Sequence, residues 1–293
     1  MAKWSGKKVN ASEINNGNEY ERKDRVTRQQ LNAIVNNSLF ASNIAENVAG
    51  QLSSLNPNDK IEFKGSNPNL LINGDFRVNQ RGQENYSEMN KYTVDRWKKL
   101  SGNSDIISQN ANGGLDISVG VDATSYNFVT QYIEDDFSQY VGNNFTLSSK
   151  STVTGSGKYC VRVNFYSDEY QTSIGNAVSA TFDNNATSLK SITFIIPEGT
   201  KKIGVVYRYN SKINGDLIHV LYMKLERGNI ATPFSPRPYA EDLALCQRYG
   251  KLLSGNSTPS TDKLDYGIPM YANPTITTIT IDGTSYKFAD AEM

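Results

Sequence analysis

The chain has 293 residues, with 30 lysines and arginines against 30 aspartates and glutamates and an apolar content of 38%. That length reads as roughly two domains, the zero net charge gives no overall pull toward nucleic acid or an anionic membrane and disfavours a bulk polyanion held by net charge alone, and no apolar run reaches the roughly 18 residues of a membrane span. Cys160 and Cys246 stand far apart and outside any Cys/His cluster, so they read as reduced structural thiols, with no zinc site or disulfide framework.

Residues 1–26 are polar and charged, and no apolar segment follows the early lysines as a signal peptide requires, so synthesis in a cytoplasm is expected. Trp4, Val9, Ile14 and Tyr20 punctuate this stretch at wide intervals. An extended arm that docks these side chains on another subunit has this pattern, and so has a flexible tail. Over 27–52 the period changes. Thr27 and Gln30 fit a capping box, Val26 and Leu31 a hydrophobic staple, and Gly50 a stop, which predicts a helix over 28–49. Leu31, Ile34, Ser38, Ala41, Ala45 and Val48 step by threes and fours as a heptad seam. Val35, Leu39, Phe40 and Ile44 make the stripe broader than a two-stranded coil needs, so a bundle between three copies is expected. The alternative is one amphipathic helix packed on its own domain. Residues 53–69, with Asn-Pro twice and Gly65, read as a linker.

From Leu70 the texture is that of short strands rich in β-branched and aromatic residues, with no long helical period between them. The expected fold is mainly β: an antiparallel sandwich or jelly roll over 70–238. In "KYCVRVNFY", Tyr159, Val161, Val163 and Phe165 share one face, with Cys160, Arg162, Asn164 and Tyr166 opposite. Residues 239–293 then predict a short helix over "AEDLALCQRYGKLL" and a β-hairpin over "PTITTITIDGTSYKFAD", whose Asp282-Gly283 pair fits a type I′ turn. An isolated hairpin is marginal in water, so it is expected to dock on the sandwich or pair across subunits.

Catalytic chemistry has little support. Strict alternation places His219, the single histidine, with Leu217, Leu221, Met223 and Leu225 on the inner face, and no nucleophile motif accompanies it. "GSGKY" lacks the spacing of a phosphate loop and reads as a turn. Glu134, Asp135 and Asp136 are adjacent, so they splay apart instead of facing a substrate jointly; a solvated loop or a calcium-ligand cluster without EF-hand spacing are the readings. No enzyme, no cofactor and no resident metal are expected. Seventeen tyrosines and two tryptophans suit sugar recognition instead. Tyr207 and Tyr209, sharing one face of "VVYRYN", and Tyr166 and Tyr170, near a strand end, are the candidates, with core or subunit-interface packing as the competing explanation.

"NLLINGDFRVNQRG" at 69–82, "YTVDRW" at 92–97, "KLERGNIATPFSPRPYAEDLALCQRYG" and "GIPMYANPTITTI" occur in the order seen in bacteriophage tail-fibre and receptor-binding proteins. The N-terminal "WSGKKVNASEINNGNEYERKDRVTRQQLNAIVNNSLFASNIAENV" resembles the leading segment of virion appendage proteins from phages of low-GC Gram-positive or gut bacteria. The resemblance implies a homotrimeric fibre or spike. Its N-terminal arm would anchor on other virion proteins, its helix would form a shaft, and a carbohydrate-module-like jelly roll would face host-surface polysaccharide. Such fibres often continue past the "PMYANPT" region into a larger C-terminal β-domain, so the alternative is a structural adaptor that binds only other virion proteins. "NGDF…DRW" and "LERGNIATPF" are then expected as clasps built from first and last strands lying side by side. In them Asn73-Gly74 makes a turn, Asp75, Arg77, Arg81, Asp95 and Arg96 pair locally, and Phe76, Val78 and Trp97 pack at the sandwich edge.

Overall fold

The computed structural model describes residues 66–253, 260–262, 264 and 269–292. The arm with Trp4, Val9, Ile14 and Tyr20, and the seam of Leu31, Ile34, Ser38, Ala41, Ala45 and Val48, lie outside the described residues. In chain order the strands are β1 (Lys98–Lys99), β2 (Ile106–Gln109), β3 (Leu115–Ser118), β4 (Ala123–Tyr132), β5 (Asn144–Thr154), β6 (Lys158–Tyr166), β7 (Ser173–Val178), β8 (Ala186–Ile195), β9 (Lys202–Lys212) and β10 (Leu217–Arg227). Helix α1 (Tyr239–Gln247) follows, then β11 (Gly250–Leu252), β12 (Thr275–Ile281) and β13 (Thr284–Asp290). Two five-stranded sheets form, β1-β4-β9-β6-β7 and β2-β3-β10-β5-β8, with a three-stranded sheet β11-β13-β12. The pairings between these strands are antiparallel. Among the described residues no helix is long and apolar enough to cross a membrane.

Alternation explains how the two large sheets bury one core. Tyr159, Val161, Val163 and Phe165 of β6 point inward, as do Ile203, Val205, Tyr207 and Tyr209 of β9. Opposite them in the same cluster are Phe145, Leu147 and Val153 of β5 and Ile218, Val220, Met223 and Leu225 of β10. These β10 residues change parity because the register shifts between Val220 and Tyr222. The extra residue inverts the phase. His219 therefore lies on the outer face, across from Asp116 and Thr152, and Leu217 beside it is 53% exposed. Counting strict alternation back from Met223 placed both inside, and the bulge corrects that.

The opening segment does run alongside β10, but as a turn and not as a strand. The Leu70 N–H donates to Leu225 O (2.8 Å) and the Met223 N–H to Gly74 O (2.7 Å). Asn69 adds side-chain bonds from the Leu225 N–H and to Met223 O, each 3.0 Å. Asn73 (φ 54°) and Phe76 (φ 61°) are left-handed, which no extended strand accommodates. Phe76, Val78 and Trp97 are all buried, with the Phe76 and Trp97 rings 4.9 Å apart.

The hairpin of β12 and β13 turns at Asp282 (φ 47°) and Gly283 (φ 76°), with Ile281 opposite Thr284. Two left-handed residues in a two-residue loop are the type I′ geometry. The small sheet has its own cluster of Leu253, Met270, Ala289 and Ala291, and it docks through the "NGDF…DRW" segment. Arg96 pairs with Glu292 at 2.6 Å and lies 3.5 Å from the centre of the Tyr249 ring. Arg81 reaches Asp95 (3.5 Å), Asp290 (3.3 Å) and Glu292 (3.7 Å). Local pairing thus holds for Asp75 with Arg77 and for Arg81 with Asp95. Arg96 instead finds its partner 196 residues later.

Candidate functional site

The structure separates the four candidate tyrosines. Tyr207 and Tyr209 are 0% and 3% exposed. Tyr207 stacks on Phe182 (5.4 Å) and Tyr209 packs on Phe128 (4.7 Å), so their expected role in sugar stacking is corrected to core packing. The signal was in β9 itself: Lys202, Arg208 and Asn210 fall on one parity, which leaves Ile203, Val205, Tyr207 and Tyr209 on the other. Tyr166 has the opposite parity from its strand's core residues. It and Tyr170 come together on the outer face of β1-β4-β9-β6-β7.

A third ring that sequence reasoning did not single out, Tyr132 at the end of β4, completes this cluster. Ring centres are 4.5 Å apart for Tyr132 and Tyr170, 5.6 Å for Tyr166 and Tyr170, and 6.4 Å for Tyr132 and Tyr166. Gly204 of β9 lies between the strands that carry two of them, opposite Tyr132 on one side and Asn164 on the other. A Cβ at that position would stand 3.1 Å from the Tyr132 ring, which would have to give by a few tenths of an ångström, and 3.4 Å from that of Tyr166, at ordinary contact. The missing side chain is what lets the rings lean over β9.

Tyr170 is fixed from below. It is left-handed (φ 68°), unusual for a bulky residue, and its hydroxyl donates to Ile133 O at 2.5 Å. Asp168 holds the loop by accepting from the Gln171 and Thr172 N–H groups, both at 2.9 Å. The Asn164 amide donates to the Tyr166 hydroxyl at 3.2 Å. Burial pushes the Tyr132 hydroxyl up to about 12 and raises Tyr166 and Tyr170 as well. All three therefore stay neutral phenols; Tyr166, 8% exposed, backs the cluster, while the half-buried Tyr132 and Tyr170 leave part of their rings open to a ligand. Beyond Tyr170, the field of Tyr271 adds to the rise in its pKa, and Tyr271 stacks on Tyr249 at 5.4 Å.

The rest of this face is polar over a buried floor. Asn127, Arg208 and Cys160 form one row across the strands, and Thr130, Val206, Arg162 and Val178 the next. Thr130, Cys160 and Val206 are at most 1% exposed, while Asn127, Arg162 and Arg208 are half-buried.

Concavities lie away from this face. A cleft of about 640 Å³ runs between the opening segment and residues 233–242, lined by Asn67, Asp75, Phe234, Arg237 and Asp242. A pit of about 260 Å³ surrounds His219 and Asp116 on the other sheet. There the imidazole Nδ1 is 2.6 Å from the Asp116 carboxylate. Ser108 stands across β3 from it, beyond Asp116, and Thr152, opposite His219 on β5, shares its hydroxyl with Thr187 (2.7 Å). Glu134 is engaged by Arg248 (2.8 Å) and the Tyr249 hydroxyl, and Asp136 caps the 3-10 turn Phe137–Tyr140 through the Ser138 N–H (2.9 Å). Among the described residues no group of three or more acidic, histidine or cysteine side chains is placed to hold a metal, so the calcium alternative for 134–136 has no geometric support.

Among solved structures the chain is similar to the CBM22-1–GH10 modules of the Clostridium thermocellum xylanase 10B complexed with xylohexaose, at 17% identity and TM-score 0.36, over 56% of this chain and 29% of that one. A putative sugar binding protein from Bacteroides thetaiotaomicron is similar at 9% identity and TM-score 0.38, over 55% of this chain and 100% of its own. The enzymatically active domain of tailspike protein 4 of bacteriophage CBA120 is similar at 12% identity and TM-score 0.31, over 55% of this chain and 21% of that one. No protein-family model matches the chain, and the search of curated proteins found no match. Likenesses of this degree carry no functional argument, which rests on the residues of the face.

Proposed function

We propose that this chain is a non-enzymatic structural protein of a phage virion, a fibre or receptor-binding component that contacts host-surface glycans through the outer face of β1-β4-β9-β6-β7. The observation that carries the reading is the trio Tyr132, Tyr166 and Tyr170, set within 6.4 Å of one another over Gly204. Clustered rings beside Asn and Arg side chains stack on sugar faces and hydrogen-bond hydroxyls. The motifs at 69–82 and 92–97 support the virion setting, and in the described residues they serve as scaffold. In this proposal the arm and the helical seam anchor and trimerise the fibre, and three weak sites act together by avidity.

The test is binding of labelled protein to host cells and to their extracted surface polysaccharide, beside Tyr132→Ala and Tyr170→Ala variants. Saturable binding that falls roughly tenfold in the double variant is expected, since each stacking contact is worth about 0.5–1.5 kcal/mol. Unchanged binding would remove the face from the proposal. The adaptor reading draws on β8, a ten-residue edge strand with Leu189 and Ile195 53% and 57% exposed, which is surface another virion protein could pair with. A folded oligomer that binds no glycan but is captured by purified virion particles would favour it.

A further inference from the structure

The same face carries two guanidinium groups that nothing in the described residues neutralises. Arg162 on β6 is in register with Val206, and Arg208 lies two residues along β9 from Val206 on the same side. The two are diagonal neighbours, a spacing of roughly 7–8 Å between backbones that long side chains easily bridge. Among the described residues neither forms an ion pair; each donates one side-chain hydrogen bond, Arg162 to Asn127 Oδ1 (3.3 Å) and Arg208 to Ser125 Oγ (2.8 Å). The Nε–H of each is buried with no acceptor. Burial and, after it, the charge of Arg208 lower the pKa of Arg162, the signature of two like charges left to face each other. The nearby carboxylates are at the tyrosine end, where Glu134 faces Arg248 and Glu169 faces Lys202.

Elsewhere this protein pairs its buried arginines. Arg81 and Arg96 have carboxylates at 3.3–3.7 Å and 2.6 Å. Half-buried guanidiniums without an acid cost solvation free energy unless an anion arrives from outside. A planar fork with unused N–H donors matches a carboxylate in two parallel hydrogen bonds. The tyrosine rings on the same face suit a sugar ring carried next to that anion.

Resting on the glycan reading above, we infer that the ligand is an acidic polysaccharide, with uronic acid carboxylates seated on Arg162 and Arg208 while neighbouring sugar rings lie on Tyr132 and Tyr170. The interaction surface is thus matched to a polyuronate and not to a neutral glucan or xylan.

The experiment compares full-length protein on a panel of polyuronates (polygalacturonate, alginate, hyaluronan) with the carboxyl-reduced form of each, at low and high sodium chloride. At least one polyuronate is expected to bind ten times or more tightly than its reduced form, and to weaken as salt rises from 0.05 to 0.5 M. Arg162→Gln and Arg208→Gln are expected to abolish that preference, lowering binding to the polyuronate tenfold or more and binding to the reduced polymer by much less. Arg208→Lys, which keeps the charge but loses the fork, should fall between. Melting temperatures on the same samples separate lost binding from lost folding, and the salt titration of unaltered protein reports on charge without any variant. Equal binding to acidic and reduced polymers would overturn the inference and leave the glycan reading standing. No binding to any polymer, together with no binding to host polysaccharide, would overturn both.

Discussion

Asn73 is where the opening motif is decided. It is fully buried and left-handed, and its amide accepts from the Val78 N–H (2.9 Å) and donates to Val78 O (2.8 Å) and Asp95 O (2.9 Å). Its own carbonyl receives the Trp97 indole N–H at 2.9 Å. Asparagine tolerates this backbone region better than other residues with a Cβ. Asn73→Ala is expected to cost about 3 kcal/mol or more in urea unfolding, because three buried partners lose their hydrogen bonds. Asp95 gives a pH signature. Burial pushes its carboxyl up to about 6 in spite of Arg81, so between about pH 6 and pH 4 the folded state holds a proton that the unfolded state has released. The stability contributed by this group is therefore present at low pH and lost as pH rises through 6. Relative to Asp95→Asn, the unaltered protein should gain on the order of 2–3 kcal/mol between pH 7 and pH 4. Tyr207→Ala should lower stability by about 3–5 kcal/mol as a core truncation, whereas Tyr132→Ala should act mainly on binding.

Among the elements, β9 joins core and face in one strand: its odd positions make the sandwich interior and its even ones the floor of the candidate site. Gly204→Val tests the second function. A branched side chain there must displace the Tyr132 ring, so glycan binding should drop roughly tenfold with little change in the melting curve; retained binding would show that the ring cluster is not the contact surface. This strand also shows what could be read in advance. The parity of β6 and the type I′ turn at Asp282-Gly283 were legible because period-two patterning and a φ > 0 dipeptide are local signals. His219 was misplaced because a bulge of one residue in β10 leaves no local mark in an otherwise apolar run. The meeting of Tyr132 with Tyr166 and Tyr170 was not legible at all, since it depends on β9 lying between β4 and β6, a long-range pairing that no single strand encodes.

For the molecule as a whole, the small C-terminal sheet is tied to the sandwich through charge as well as apolar contact. Arg96 and Glu292 are 2% exposed or less in their side chains, and the Arg96 backbone N–H also reaches the same carboxylate at 3.1 Å. Removing one partner of such a pair strands the other charge in the interior. Glu292→Gln is expected to destabilise the fold by about 3–5 kcal/mol in thermal or denaturant melts; a loss below 1 kcal/mol would mean that water reaches Arg96.

That tie also sets a timetable. A ribosome delivers Arg96 long before Glu292, which lies 196 residues downstream. At about 5–20 residues per second the wait is roughly 10–40 s. Throughout it the nascent chain holds a guanidinium whose counter-charge has not been made, so the tie between the opening motif and the hairpin can form only once translation has passed Glu292.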